Sequence, residues 1–149
     1  MTRARKKLPY EGTGVSVSTS LAELQKILLS RKVAGFGYQP VAETGGLVVR
    51  FSWRSPGGRD LVARLVVDPS KARPRSSQQT RERARALEMM RLCRVLVYYV
   101  KGLLDAVAGG VLSLEEAMLA HVEDPGSGRT VAEIVGGPMF AALPPGRDG

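Results

Sequence analysis

The sequence predicts a single α+β domain made of a helix, a three-stranded antiparallel meander, a long Arg-rich helix and two short C-terminal helices. Three observations predict it. Apolar residues recur at helical spacing near the start of the chain and alternate with period two through its middle. A stretch without Gly or Pro runs from Arg75 to Lys101. At 149 residues with 44% hydrophobic content, the chain is long enough for one core and too apolar for global disorder.

Val15 and Val17 alternate with small polar residues, which predicts a short strand. Ser20-Leu21-Ala22-Glu23 follows as a capping box. A helix is expected from there, with Leu21, Leu24, Ile27 and Leu28 as its buried stripe and Arg31 and Lys32 at its C-terminal end. Three strand-like segments come next. Val33 to Gln39 is weakly alternating, Leu47, Val49, Phe51 and Trp53 share one face, and Leu61, Ala63, Leu65 and Val67 share another. Glu43-Thr44-Gly45-Gly46 and Ser55-Pro56-Gly57-Gly58 supply the hairpin connections, because Gly accepts the positive φ of tight turns. The opposite face mixes Arg50, Arg54 and Arg64 with Val48, Val62 and Val66, a pattern that predicts partial cover and admits a homo-oligomer.

Pro69 to Ser77 reads as a basic linker, after which the absence of Gly and Pro as far as Lys101 permits one long helix; Gly109-Gly110 ends it or a short continuation beyond Gly102, and its half from Leu92 to Leu104 is expected to be buried nearly all round. Ser113-Leu114-Glu115-Glu116 and Thr130-Val131-Ala132-Glu133 are capping boxes for two short helices, separated by the Asp124-Pro125-Gly126 turn. Residues 1–9 read as a basic flexible leader, 10–143 as the domain and 144–149 as a disordered tail.

The net charge of +8 is unevenly spread: residues 1–7 carry +4, residues 71–94 carry +6 and residues 102–149 carry −5. Seven arginines, Arg73, Arg75, Arg81, Arg83, Arg85, Arg91 and Arg94, fall within 22 residues, opposed there only by Glu82 and Glu88. Guanidinium groups are always charged and present planar donors that match phosphate oxygens. This concentration therefore predicts nucleic-acid binding, to DNA or RNA, with Arg5, Lys6 and Lys7 of the leader as further phosphate contacts. The alternative is a protein-interaction module whose arginines meet an acidic partner, for example a modulator or inhibitor of a host enzyme. The acidic C-terminal third is an internal competitor for the same arginines.

Catalytic chemistry has no recognisable carrier. Cys93 sits in an apolar run without a histidine partner, which fits a small buried side chain. His121 is the only histidine, and with Glu123 and Asp124 nearby it makes too small a set for zinc. Glu43, Asp60 and Asp68 are too scattered in sequence to recommend a two-metal centre. Gly12-Thr13-Gly14 precedes a strand-like segment and lacks the lysine of a phosphate-binding loop. No metal or cofactor is expected. The single cysteine suits a reducing cytoplasm, and neither a secretion signal nor a membrane-spanning run is apparent.

Tyr10-Glu11-Gly12-Thr13, Arg83 to Leu87, Leu112 to Leu119 and Gly128 to Glu133 together resemble small proteins of tailed phages and prophages. The resemblance implies a mobile-element setting in a bacterial host cytoplasm and lends no activity. The order helix, three antiparallel strands, basic helix is also similar to that of double-stranded RNA-binding domains and of the strand-annealing core of phage recombination proteins. This chain lacks the Lys-Lys-x-x-Lys cluster and the Gly-Pro-x-His loop of the RNA-binding domains.

Overall fold

A computed structural model describes residues 5–136. The predicted tail from Pro144 and the first four residues of the leader lie outside them. Helix α1 (Val17–Ser30) is followed by strands β1 (Gly35–Val41), β2 (Gly46–Arg54) and β3 (Asp60–Val67), and then by helix α2 (Arg81–Ala108). Helix α3 (Leu114–Met118), a 3-10 turn at Leu119–His121 and helix α4 (Val131–Val135) complete the order. The predicted α+β class holds, and so does the meander, with β2 central and antiparallel to both neighbours.

The start of α1 corrects the sequence reading. Val15 and Val17 form no strand, and the cap is Ser16, whose hydroxyl accepts the Thr19 N–H at 3.2 Å. Ser20 lies inside the helix and is fully buried. Its hydroxyl and the Glu23 carboxylate face α2 instead of closing a capping box. The helix therefore starts one turn earlier than its spacing predicts, because Ser20 and Glu23 are engaged by α2.

Period-two patterning is realised in the sheet. Leu47, Val49, Phe51 and Trp53 of β2 and Ala63, Leu65 and Val67 of β3 are buried on one face. They pack with Leu21, Leu24 and Leu28 of α1 and with Met89, Cys93, Leu96, Val97, Val100 and Leu104 of α2. Full burial of such a side chain contributes about 1.5–3 kcal/mol. Trp53 keeps its indole N–H paired, donating to Glu115 Oε1 at 3.1 Å and thereby tying α3 to the end of β2. The first hairpin turns at Gly45, with φ +75°, and a Cβ on the adjacent Gly46 would stand 2.0 Å from the Val67 carbonyl oxygen.

Helix α2 follows the predicted linker and stops at the predicted Gly109. It begins at Arg81, because the Thr80 hydroxyl accepts the Arg83 N–H at 3.0 Å, while Gln79 caps the loop by accepting the Arg75 N–H at 3.0 Å. It then runs straight through Gly102 to Ala108. An interior glycine costs about 1 kcal/mol, which the burial of Leu104 two residues later offsets. Its second half is not buried all round: Tyr98, Tyr99, Lys101 and Gly102 are open to solvent. Both C-terminal capping boxes form as predicted, at Ser113/Glu116 and Thr130/Glu133.

The outer face of the sheet is partly covered by the C-terminal segment. The Glu123 N–H donates to the Val62 carbonyl at 2.8 Å, and Val122 bridges Ala63 along the open edge of β3. The Glu123 carboxylate takes the Arg50 Nε at 2.8 Å and stands 3.5 Å from the Arg64 Nε. Arg64 also pairs with Glu133. Val66 remains exposed.

Candidate nucleic-acid interface

The cations predicted as a site are divided by the fold into three groups. Arg81 and Arg83 occupy the first turn of α2, are exposed, and make no ion pair among the described residues. Arg85, one turn on, is half-buried with an Nε that has no hydrogen-bond partner. It lies near Asp68, whose carboxyl is held below its ordinary range chiefly by hydrogen bonds from Ser70, with smaller help from Lys71 and Arg85. Cations at this end of a helix oppose the macrodipole, a conflict worth about 0.3–1 kcal/mol per charge. Only Glu82 in the first turn relieves it.

The second group lines a cleft of about 190 Å³ between α2, the loop before it and residues 11–13. Arg73, Arg75 and Arg91 border it, with Glu11, Thr13 and Leu87 among the other walls. Arg75 and Arg5 both pair with Glu11, whose carboxylate also accepts the Leu8 N–H at 2.9 Å. Arg91 donates to Glu88 at 2.6 Å and to the Pro9 carbonyl at 3.3 Å. Arg73 is exposed and carries no ion pair among the described residues. Of the leader cations, Lys6 and Lys7 are exposed and Arg5 is held by Glu11.

Arg94 must be removed from the site. It is 7% exposed, its Nε donates to Ser20 Oγ at 2.9 Å, and its terminal nitrogen donates to Glu23 at 2.6 Å. This guanidinium joins α1 to α2.

Among the described residues, the acids of the C-terminal third make no ion pair with the helix-start arginines. Asp105 pairs with Arg31, Glu115 accepts from Trp53, Glu123 serves Arg50 and Arg64, and Glu133 serves Arg64. The competitor expected from the charge pattern is engaged with the sheet and α1.

A feature the sequence reading missed is the path of residues 8–13. They form two successive turns, with Glu11 N donating to Leu8 O and Thr13 N to Tyr10 O, both at 3.2 Å, and lie against α2. There the Tyr10 ring stacks on Tyr98, with centroids 5.0 Å apart and planes 5° from parallel. The local signal was the pairing of an aromatic and an acid in Tyr10-Glu11 just after a basic run. Tyr98 and Arg75, the partners that place them on the fold, lie more than sixty residues away.

Burial perturbs two further titratable side chains. The Cys93 thiol is buried, and burial pushes it up to about 11, far from a thiolate at neutral pH. Burial also lowers the His121 imidazole, whose Nε2 lies 2.7 Å from the Tyr99 hydroxyl. Among the described residues no three His, Cys, Asp or Glu side chains cluster as metal ligands. Asp60 and Asp68 flank opposite ends of β3, about 26 Å apart at strand spacing. Among the described residues no helix is long and apolar enough to cross a membrane. No family model, characterised protein or solved structure matches the chain.

Proposed function

We propose that the chain is a non-enzymatic nucleic-acid-binding accessory protein of a phage or mobile element, gripping phosphates with the arginines at and before the start of α2. The observation that carries this reading is the set Arg73, Arg81 and Arg83: exposed, without ion pairs among the described residues, and in two cases placed where the helix dipole already disfavours a cation. Solubility alone does not call for positive charge at that end of a helix. Phosphate binding does, because backbone N–H groups, dipole and guanidinium groups then act on one anion. The phage or mobile-element setting rests on the motif resemblance.

The test is a salt titration of binding to DNA and RNA, comparing the natural chain with the triple variant Arg81→Ala, Arg83→Ala, Arg85→Ala. The expected result is weaker binding and a slope of log K against log salt reduced by about 2, at roughly 0.7–0.9 per lost phosphate contact. Equal affinity and slope in the two proteins overturn the reading. Binding to an acidic protein surface then becomes the better account of the same cations.

A further inference from the structure

We infer that the nucleic acid is single-stranded and that the stacked pair Tyr10–Tyr98 is the platform on which its bases lie; the inference rests on the phosphate-binding reading above. The two rings are parallel and in contact, yet 42% and 45% exposed, and neither belongs to the core. Core packing therefore does not explain them. Tyr10 holds a φ of +59°, a left-handed conformation that bulky residues rarely adopt. Gly or Asn would make the same turn without strain, so this position has a use for the ring.

The platform adjoins the phosphate-binding cations. Arg91 donates to the carbonyl of Pro9, the neighbour of Tyr10, and also borders the cleft with Arg73 and Arg75. Arg91 and Tyr98 are two turns apart on α2, about 10 Å along the axis. The Arg94 guanidinium stands 5.8 Å from the Tyr98 ring centre, so the ring already takes part in one cation–π contact. An aromatic surface beside a cationic track is the arrangement that holds single strands, since every unstacked base has a π-face. In a duplex those faces are covered by neighbouring bases, and an exposed ring gains nothing without unstacking them.

The experiment measures binding of the full chain to oligo(dT), to oligo(U) and to a mixed-sequence duplex of equal length, at two salt concentrations. The natural chain should prefer one or both single strands to the duplex. Tyr10→Ala should lower single-strand affinity about tenfold, with an unchanged salt slope and little change on duplex, while Tyr10→Phe keeps the natural affinity. Equal losses on single strand and duplex mean that Tyr10 only anchors the leader, and they overturn the inference, as does no loss at all. A second measurement needs no substitution: ring-proton resonances of Tyr10 and Tyr98 should shift on adding oligo(dT) and stay in place with inorganic polyphosphate. Resonances unmoved by oligo(dT), or a natural chain that prefers duplex, reject stacking and leave phosphate binding standing. Failure to bind any of the three nucleic acids rejects both.

Discussion

The Nε of Arg94 donates to the Ser20 hydroxyl at 2.9 Å across the α1–α2 interface, with both residues buried. A cation from the most basic stretch of the chain is thus a structural bolt. Removing Arg94 leaves the Ser20 hydroxyl unpaired in the interior while the half-exposed Glu23 returns to solvent, so Arg94→Ala should cost about 1–3 kcal/mol in urea unfolding. Arg83→Ala, three turns earlier and exposed, should change stability by less than about 0.5 kcal/mol. Equal costs would show that the Arg94–Ser20–Glu23 contact carries no special weight.

Glu11 gathers Arg5, Arg75 and the Leu8 N–H, and so occupies part of the cationic surface with the protein's own carboxylate. Glu11→Gln keeps the shape and removes the charge. The expected outcome is nucleic-acid affinity raised about threefold at low ionic strength, with the gain fading as salt screens it. A lower affinity in filter binding or fluorescence anisotropy would mean that Glu11 serves mainly to hold the leader in place.

Gly46 sits where a side chain has no room. Gly46→Ala places its Cβ 2.0 Å from the Val67 carbonyl oxygen, and backbone cannot yield as a flexible side chain can. We expect a loss of about 2–3 kcal/mol by thermal or chemical unfolding. Gly58→Ala is the control, since nothing lies within 4 Å there and only its φ of +82° opposes the change.

Stability should fall in mild alkali because of Cys93. Its thiol is neutral in the folded state up to about 11, against an ordinary value of 9.0. Below pH 9 both states hold the proton and the difference is absent. Between pH 9 and 11 the unfolded chain releases it while the folded chain does not, so folding stability declines by up to about 2 kcal/mol. Cys93→Ala should flatten that part of the pH profile, and a thiol reagent should react with the natural chain only on unfolding.

Elements whose signals are local were legible in the sequence. The capping boxes at Ser113 and Thr130, the Gly45 and Gly58 turns and the alternation of Leu47 to Trp53 each involve residues within a few positions of one another. What the sequence could not specify was which of several similar residues another element would cover. Arg83 and Arg94 lie eleven positions apart, within about 20° of one heading on an α-helix, and spacing alone treats them alike. Helix α1 reaches only the second. The same holds for Tyr98, whose partner is in the leader, and for Glu123 and Glu133, whose arginines are on the sheet. Charge counting located the basic segment and left its internal division to tertiary contacts.

Residues 8–13 are held against α2 and the loop before it by one stack, the Arg91 hydrogen bond to the Pro9 carbonyl and the Glu11–Arg75 ion pair rather than by a buried stripe. Such a segment opens far more readily than the core, so its amide protons should exchange with solvent long before those of β2. A ligand that touches both the leader and the helix adds its binding energy to the closed form alone. Slowed exchange at Glu11 and Thr13 would then report occupancy of the cleft on a protein whose global unfolding has scarcely changed.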